Sequence, residues 1–364
     1  MKLLNRKNLN YLIYMVSVIF LIFLAFNTYI TYQIHSELAK MTSKPARWPV
    51  GSYIYDSKIG FDFSADISAY IQDSSFYVKS NYLGYRISKQ EDGNSFQSGG
   101  ILSLGCSFTY GDEVESEQTF TQVIADSLGI AAYNYGVSSF SYAHALVKGQ
   151  NLKEKGVLEK LQPQYVILGC WKDLPDRSRT PFPRLASKNI PLTAAYFGKD
   201  GNDVKIEYPL SSRHIFELVT MYRKEGPGLS LKKFNKIFFA VPRFVFIYLK
   251  NSSLSQKVRE IKPNSRLTDF EIYNFYFTNI EAVFSSYHSK IIVLFMTMSP
   301  EDKPGEGLMK AIAAHPDIIF VDGRQAIKNY NVPLKDYRGK HPQPATHKAY
   351  GLEAATKIDA LKTK

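Results

Sequence analysis

Residues 104–111 read Leu-Gly-Cys-Ser-Phe-Thr-Tyr-Gly, a loop with two glycines around a serine. The short apolar run Ile101–Leu104 leads into this loop and predicts a strand. Behind the loop, residues 118–128 carry apolar side chains at helical spacing, and Gly129 suits the left-handed end of a helix. The sequence therefore predicts a strand–loop–helix unit with Ser107 in the loop.

The same alternation of strands and helices continues along the chain. Tyr165–Cys170 is apolar on both faces, as a buried parallel strand should be. This alternation predicts a three-layer α/β/α sandwich with a mostly parallel, flavodoxin-like sheet. The other predicted elements are strands at Ile130–Tyr135, Ile291–Met296 and Ile318–Val321, and helices at Tyr142–Leu161, Thr268–Tyr287 and around Leu352, Ala355, Ile358 and Leu361.

Polar side chains gather in loops that leave the carboxyl ends of the predicted strands, the edge where open α/β sheets bind ligands. Acyl transfer by serine needs a nucleophile, a base, an orienting acid and donors for an oxyanion. Ser107, His341 and Asp336 have the residue types for the first three roles. The backbone N–H groups of Ser107 and Gly136 suit the fourth role.

Several short segments resemble sequence blocks of the SGNH/GDSL hydrolase family. Residues 104–114, LGCSFTYGDEV, are similar to its first block, with Cys106 where aspartate is usual. Residues 134–137, Asn-Tyr-Gly-Val, resemble the second block. Residues 341–342, His-Pro, stand before the final predicted helix and resemble the last block.

A further segment, residues 80–86 (Ser-Asn-Tyr-Leu-Gly-Tyr-Arg), resembles one that precedes the first block in many bacterial members. The resemblance covers about residues 50–175 and 268–362. It implies that Ser107 is the nucleophile, that His341 is the base, and that the glycine of the second block donates to the oxyanion.

The activity implied by this resemblance is hydrolysis of an acyl or acetyl ester in a lipid or a polysaccharide, without a cofactor. An O-acyltransferase that modifies a cell-envelope polysaccharide through the same residues is an alternative. A non-catalytic binding protein on the same fold is another, because two positions depart from the family's pattern.

The first departure is Lys172, which stands where the third block has an asparagine that completes the oxyanion hole. Its ammonium group either donates to the oxyanion or turns to solvent. The second is Asp336, five residues before His341, whereas Arg338 occupies the usual position of the acid. Either the loop bulges to bring Asp336 back, another acid serves, or the site works as a Ser–His dyad.

Other polar residues near the predicted site have simpler interpretations. His347 is an alternative base, and Asp173 and Asp176 fit local hydrogen bonding or helix capping. Cys106 and Cys170 are either two packed thiols or one disulfide. No group of histidine, cysteine and acidic residues has metal-ligand spacing, and no phosphate-binding loop is present, so we predict no metal and no nucleotide.

The N-terminus has the pattern of a membrane anchor. Residues 8–36 carry no charge, and about 20 apolar residues span a bilayer as a helix. Lys2, Arg6 and Lys7 precede this run, so its N-terminus should be cytoplasmic and the rest of the chain extracytoplasmic. A cleaved signal peptide is the alternative, but residues 27–30 offer no small-x-small cleavage site. We expect a single-pass protein of the bacterial inner membrane with a periplasmic catalytic domain.

The predicted organisation has three parts. Residues 1–36 form the cytoplasmic tip and the anchor, residues 37–50 form a linker, and residues 51–364 form the hydrolase-like domain. Residues 176–267 are an insertion in that domain. The insertion leaves the strand that ends at Cys170, so we expect it to cap the catalytic edge.

Two stretches of the insertion have a pattern of their own. Ala194–Pro209 alternates around a polar turn and predicts a hairpin. Ile237–Leu249 is apolar and aromatic but too short to span a membrane, which leaves a packed core or an interfacial segment.

The formal net charge of +12 is spread along the chain without a long basic block. This distribution does not favour a nucleic-acid partner. It suits attraction to anionic lipid head groups or to an acidic polymer.

Overall fold

The computed structural model describes residues 6–43, 48–49, 51–71, 76–181, 192–210, 213–251, 267–299, 301–337 and 341–362. Arg338 lies outside these ranges. The chain divides into two compact units. One unit contains the N-terminal helix and two helices of the insertion, and the other contains the large sheet and its flanking helices.

The strands, in chain order, are β1 (Tyr53–Ile54), β2 (Asp62–Phe63), β3 (Ser68–Tyr70), β4 (Tyr77–Ser80), β5 (Arg86–Ile87), β6 (Gly100–Leu104), β7 (Ala131–Asn134), β8 (Tyr165–Cys170), β9 (Tyr196–Asp200), β10 (Asp203–Glu207), β11 (Lys290–Phe295) and β12 (Ile319–Asp322). The α-helices are α1 (Arg6–Thr42), α2 (Ser107–Tyr110), α3 (Phe120–Leu128), α4 (Tyr142–Glu154), α5 (Val157–Leu161), α6 (Leu174–Ser178), α7 (Arg213–Glu225), α8 (Leu231–Asn251), α9 (Asp269–Phe284), α10 (Glu306–Ala314), α11 (Gly323–Asn329), α12 (Leu334–Tyr337) and α13 (Pro344–Lys362).

The large sheet has the strand order β12-β11-β8-β6-β7-β5-β4-β3. Its first five strands are parallel, and β5, β4 and β3 continue the sheet from β7 in antiparallel pairs. Numbered along the chain, the parallel strands have the order 2-1-3-4-5, which is the flavodoxin-like arrangement. The predicted α/β sandwich with a mostly parallel sheet is confirmed.

Helices cover the sheet in two groups. α3 packs against α13, which also contacts α11, and α4 packs against α9, which contacts α10. Right-handed crossovers between parallel strands put the two groups on opposite faces of the sheet. The central strands β6, β8 and β11 are therefore buried almost throughout, which explains their continuous apolar sequences.

One predicted helix is divided. The sequence predicts a single helix over Tyr142–Leu161, but the structure has α4 and α5 on either side of a break. Gly156 lies in the break with φ +67°, a left-handed backbone that glycine adopts without steric cost. An isolated glycine in a helical pattern marks such a break only weakly, so the sequence prediction was wrong at this point.

The N-terminal helix α1 is longer than the predicted anchor. It continues to Thr42, through residues that the sequence assigns to a linker. Two local contacts support this last turn: Lys40 Nζ pairs with Glu37 Oε1 at 3.0 Å, and Thr42 Oγ1 donates to the Leu38 carbonyl at 2.8 Å. The helix is long and apolar enough to cross a membrane, and most of its large side chains between Leu9 and Phe26 are exposed, as at Ile22, which is 64% exposed. Nearer its C-terminal end, Ile34 and Leu38 are buried.

The insertion is divided between the two units. The predicted hairpin is present as β9 and β10, which pair in register and belong to the sheet unit. Helices α7 and α8 form a unit with α1. Residues 182–191, 211–212 and 252–266 lie outside the described ranges, and the cap over the catalytic edge stays a prediction.

Candidate active site

Ser107 lies at the point of the sheet where the winding direction reverses. β6 and β8 are neighbours, and the chain leaves them toward opposite sides of the sheet. The loops that follow β6 and β8 therefore diverge, which opens a crevice at their carboxyl ends. Ser107 begins α2 directly behind β6, and Lys172 lies in the loop behind β8.

Close packing of α2 on the strand ends holds Ser107 in this crevice. A Cβ atom on Gly105 or on Gly169 would lie only 2.2 or 2.0 Å from Thr109 Oγ1. Both positions must be glycine for the first turn of α2 to approach β6 and β8 so closely. Ser107 is 9% exposed, and within the described ranges its hydroxyl is not hydrogen-bonded to His341, whose ring contacts Glu113, Asp112 and Phe108.

The second block packs against the same helix. A Cβ on Gly136 would lie 2.3 Å from the backbone nitrogen of Tyr110, so this glycine is required by close approach. The Gly136 N–H donates to Asn134 Oδ1 at 3.0 Å, and Asn134 Nδ2 donates to the Thr109 carbonyl at 2.9 Å. The predicted oxyanion donor is thus adjacent to α2, with its N–H engaged by Asn134.

Two carboxylates flank the imidazole of His341. Nδ1 lies 3.1 Å from Glu113 Oε1, and Nε2 lies 3.7 Å from Asp112 Oδ2. The ring also meets the edge of Phe108, with 5.7 Å between ring centroids. Since both carboxylates follow α2, the first and last sequence blocks meet at His341.

The carboxylate of Asp112 has a second partner. It is buried, and its Oδ1 accepts a hydrogen bond from Ser138 Oγ at 2.5 Å. Its backbone N–H donates to the Ser107 carbonyl at 3.0 Å. The short segment 107–113 therefore carries the predicted nucleophile and both acids. The hydrogen bond from Ser138 connects this segment to the loop that contains the second block.

Glu113 has an unusual backbone conformation. Its φ is +78°, in the left-handed region that non-glycine side chains rarely adopt. Such residues persist only where their surroundings hold them, and they concentrate at functional sites. The position of Glu113 beside His341 is consistent with such a site.

The structure does not bring Asp336 into contact with His341. Within the described ranges, its carboxylate makes no contact with His341 within 4 Å, and the acids at that ring are Asp112 and Glu113. Asp336 lies in α12, where its N–H donates to the Pro333 carbonyl at 2.9 Å. Its own carbonyl accepts from Thr346 Oγ1 at 2.6 Å, which fixes it at the start of α13.

Lys172 is exposed and pairs with an acidic side chain. Its Nζ lies 2.7 Å from Asp302 Oδ1, and this hydrogen bond raises the pKa of the ammonium. Asp302 Oδ2 in turn accepts from the Met298 N–H at 3.2 Å. Lys172 therefore connects the loops after β8 and β11, with half of its side chain exposed (51%).

The alternative base, His347, is a buried neutral residue. Its Nδ1 accepts from the Phe120 N–H at 3.3 Å, at the start of α3, and its ring stacks on Phe120. Desolvation lowers its pKa to about 3. A histidine that cannot take up a proton near neutral pH is a poor general base, so His341 remains the better candidate.

Arg86 supports the loop that carries the two acids, a role that the sequence analysis missed. This buried guanidinium donates to the Tyr110 carbonyl at 2.7 Å, to Gly111 at 2.8 Å and to Val114 at 2.5 Å. Burial lowers its pKa. The sequence contained a signal for this role, because Arg86 ends the segment 80–86 that resembles a family segment, but the sequence analysis assigned no function to it.

The two cysteines are packed thiols, the first of the two alternatives that the sequence left open. Cys106 and Cys170 are free, buried thiols, and burial raises the pKa of Cys170 to about 12. Among the described residues, no group of three histidine, cysteine or acidic side chains could hold a metal ion.

No protein-family model and no curated protein sequence matches this chain. Its fold resembles that of a GDSL-family lipolytic protein from Veillonella parvula, at 12% identity over 71% of this chain and 97% of that chain, with a TM-score of 0.37. It also resembles the psychrotrophic esterase EstA from a Pseudoalteromonas species, at 9% identity over 74% and 100% of the two chains, with a TM-score of 0.35. A third similar structure is a carbohydrate esterase family 2 enzyme from Corynascus thermopiles (Myceliophthora fergusii), at 12% identity over 77% and 70%, with a TM-score of 0.34.

Proposed function

We propose that this chain is a membrane-anchored SGNH-type serine esterase that removes an acyl or acetyl group from an extracytoplasmic lipid or polysaccharide. The observation that carries the proposal is the contact of His341 Nδ1 with Glu113, which follows Ser107 in the segment that begins at the switch point of the sheet. Glu113 contacts Nδ1 of His341, the nitrogen that an orienting acid engages in a serine triad.

In the proposed reaction, Ser107 Oγ attacks the ester carbonyl while His341 Nε2 accepts the hydroxyl proton. The backbone N–H of Ser107 donates to the resulting oxyanion, together with Gly136 once Asn134 releases that N–H. His341 then protonates the departing alcohol, which leaves an acyl group on Ser107. Water, deprotonated by His341, hydrolyses this ester and restores the serine.

The proposed triad acid is Glu113 in place of Asp336. A carboxylate at Nδ1 fixes the tautomer in which Nε2 is free to accept the serine proton, and it stabilises the imidazolium that forms. Asp112 is close enough to Nε2 to stabilise the same positive charge, but its Oδ1 is already engaged by Ser138.

The proposed location is the bacterial inner membrane, with α1 as a single-pass anchor and the sheet unit in the periplasm. The uncharged run of residues 8–36 within α1 supports insertion, and Lys2, Arg6 and Lys7 before that run support a cytoplasmic N-terminus. A reporter that is active only after export, fused behind Lys364, should be active. Activity of a reporter that works only in the cytoplasm would contradict this orientation.

The nucleophile is tested with a fluorophosphonate probe on the full chain in detergent. We expect the probe to label Ser107 and the protein to hydrolyse a short-chain aryl ester. Ser107→Ala should abolish both, and His341→Ala should reduce turnover by several powers of ten. Asp336→Asn is the matched control and should retain labelling. Full ester hydrolysis by Ser107→Ala would exclude the proposed mechanism.

A further inference from the structure

We propose that α8 lies on the surface of an anionic bilayer beside α1, as a second membrane contact of this chain. The inference rests on the proposed insertion of α1 and goes beyond it. α8 belongs to the same compact unit as α1 and packs against it. The rings of Tyr32 on α1 and Phe234 on α8 meet edge to face, with 5.9 Å between centroids.

One face of α8 is buried. Ile237, Val241, Phe244 and Ile247 are buried, at intervals of three and four residues that define a single helical face. This face is the protein contact of α8, and it leaves the remaining faces of the helix for another occupant.

The opposite face exposes two aromatic side chains. Phe239 is 80% exposed and Phe246 is 61% exposed. A spacing of seven residues puts them on the same side of the helix, two turns apart. Exposed aromatic side chains that are aligned in this way mark a contact site rather than scattered surface residues.

The positive charge of α8 indicates that its exposed face binds an anionic surface. Residues 231–251 contain no aspartate or glutamate. Lys236 and Arg243 are exposed and lie three and four residues from Phe239, so the cations border the aromatic stripe. Anionic head groups attract such cations, while aromatic rings enter the boundary of the acyl chains.

The same charges exclude a spanning role for α8. Lys236 and Arg243 stand inside the helix, and charges at the bilayer centre are costly. Contact with α1, whose apolar surface is the candidate membrane span, keeps α8 close to the bilayer. At the membrane interface, the aromatic side chains of α8 can contact the acyl chains while its cationic side chains contact the head groups.

The test uses the full chain in liposomes of phosphatidylcholine and phosphatidylglycerol. One cysteine is added at Phe239 and labelled with an environment-sensitive fluorophore, and the two native cysteines are buried. Lipids with a doxyl quencher report contact with the acyl chains. Ile19 on α1 is the membrane reference, and Met309 on α10, 42% exposed, is the aqueous reference.

We expect a blue-shifted emission and strong quenching at positions 239 and 19, and neither effect at 309. Lys236→Gln with Arg243→Gln should abolish quenching at 239 and leave it unchanged at 19. Lys310→Gln, an exposed lysine of α10, is the matched control and should change nothing.

Two negative outcomes are distinguishable. Quenching at 19 without quenching at 239 would overturn the inference and leave the anchor intact, whereas no quenching at 19 would refute the anchor itself. A blue shift at 239 that depends on protein concentration, without quenching by doxyl lipids, would assign this face to a second copy of the chain and also overturn the inference.

Discussion

His341 is the residue at which the proposed chemistry is decided, because two carboxylates face one imidazole. Glu113 lies at hydrogen-bond distance from Nδ1, and Asp112 lies farther from Nε2. Only a carboxylate at Nδ1 leaves Nε2 available for the serine proton. We therefore propose separate roles, in which Glu113 orients the ring and Asp112 contributes charge.

This separation predicts different effects for three amide substitutions. Glu113→Gln should lower kcat by about 10²- to 10⁴-fold, because the amide no longer fixes the imidazole or stabilises its charge. Asp336→Asn should leave kcat unchanged, and Asp112→Asn should have an intermediate effect. Steady-state hydrolysis of an aryl ester measures all three, and a larger loss in Asp336→Asn than in Glu113→Gln would restore Asp336 as the acid.

Arg86 is expected to act on activity through position alone. Its guanidinium donates to three carbonyls of the loop that carries Asp112 and Glu113. Arg86→Lys keeps the charge but loses the planar fork, so kcat should fall with little change in KM. Stability should decrease by about 1–3 kcal/mol, because buried carbonyls lose their donors.

Chemical rescue separates this positioning role from general destabilisation. Millimolar guanidinium should restore part of the kcat of Arg86→Ala, since the ion can re-occupy the site between the carbonyls. The same salt should not help Glu113→Gln. Rescue of neither variant would assign Arg86 to stability only.

At the scale of elements, one buried ion pair joins α4 to β2. Lys148 Nζ lies 2.5 Å from Asp62 Oδ2, and both side chains are more than nine-tenths buried. The ammonium also faces the ring of Tyr135 at 5.3 Å, in the second block. Two charges removed from water in this way are stable only as a pair.

Removing one partner of the pair should therefore reduce the free energy of unfolding more than replacing both partners with apolar side chains. Lys148→Met alone should reduce the free energy of unfolding by about 3–5 kcal/mol, because the Asp62 carboxylate would remain buried without its counter-ion. The double variant Lys148→Met, Asp62→Leu should recover most of that loss. Denaturant unfolding of the full chain in detergent measures both, and a double variant as unstable as the single one would contradict the argument.

Secondary structure was predictable where local signals and burial agreed. The apolar strands β6, β8 and β11 and the hairpin β9–β10 follow from their sequence patterns, because burial on both faces or a polar turn leaves a local signature. The break between α4 and α5 and the extension of α1 to Thr42 do not follow in this way. The break depends on a single glycine, and the extension of α1 depends on short-range side-chain pairs. Neither changes the hydrophobic periodicity from which helices are predicted.

For the whole molecule, two buried histidines set the response to acid. Desolvation lowers the pKa of His144 and of His347 to about 3, from an ordinary value of 6.5. Between these values the unfolded chain binds protons that the folded chain excludes. The contribution of these two histidines to the free energy of unfolding is therefore constant above pH 6.5 and becomes increasingly unfavourable to the folded state as the pH decreases from 6.5 toward 3.

The expected slope is about 1.4 kcal/mol per pH unit for each histidine in the middle of this range. His347→Asn should remove one of the two contributions, because its side-chain oxygen can still accept from the Phe120 N–H. Unfolding by denaturant at pH 7 and at pH 5 measures the difference. Equal acid sensitivity in the variant and in the unchanged chain would show that His347 is protonated when folded.

The sequence alone was enough for the α/β class, the apolar N-terminal helix and the position of Ser107 directly behind β6, because each depends on neighbouring residues. The sequence predicted a loop at Ser107, whereas the residue begins the short helix α2. It could not identify the acid at His341. Glu113 and His341 are separated by 228 positions, and a rule based on spacing looks only at residues just before the histidine. Folding decides that contact, since the sheet order and the glycines under α2 bring the two ends of the domain together. The role of Arg86 was also decided by the tertiary structure. Its guanidinium binds backbone carbonyls, and since every residue has a carbonyl, no side chain in the sequence identifies its partners.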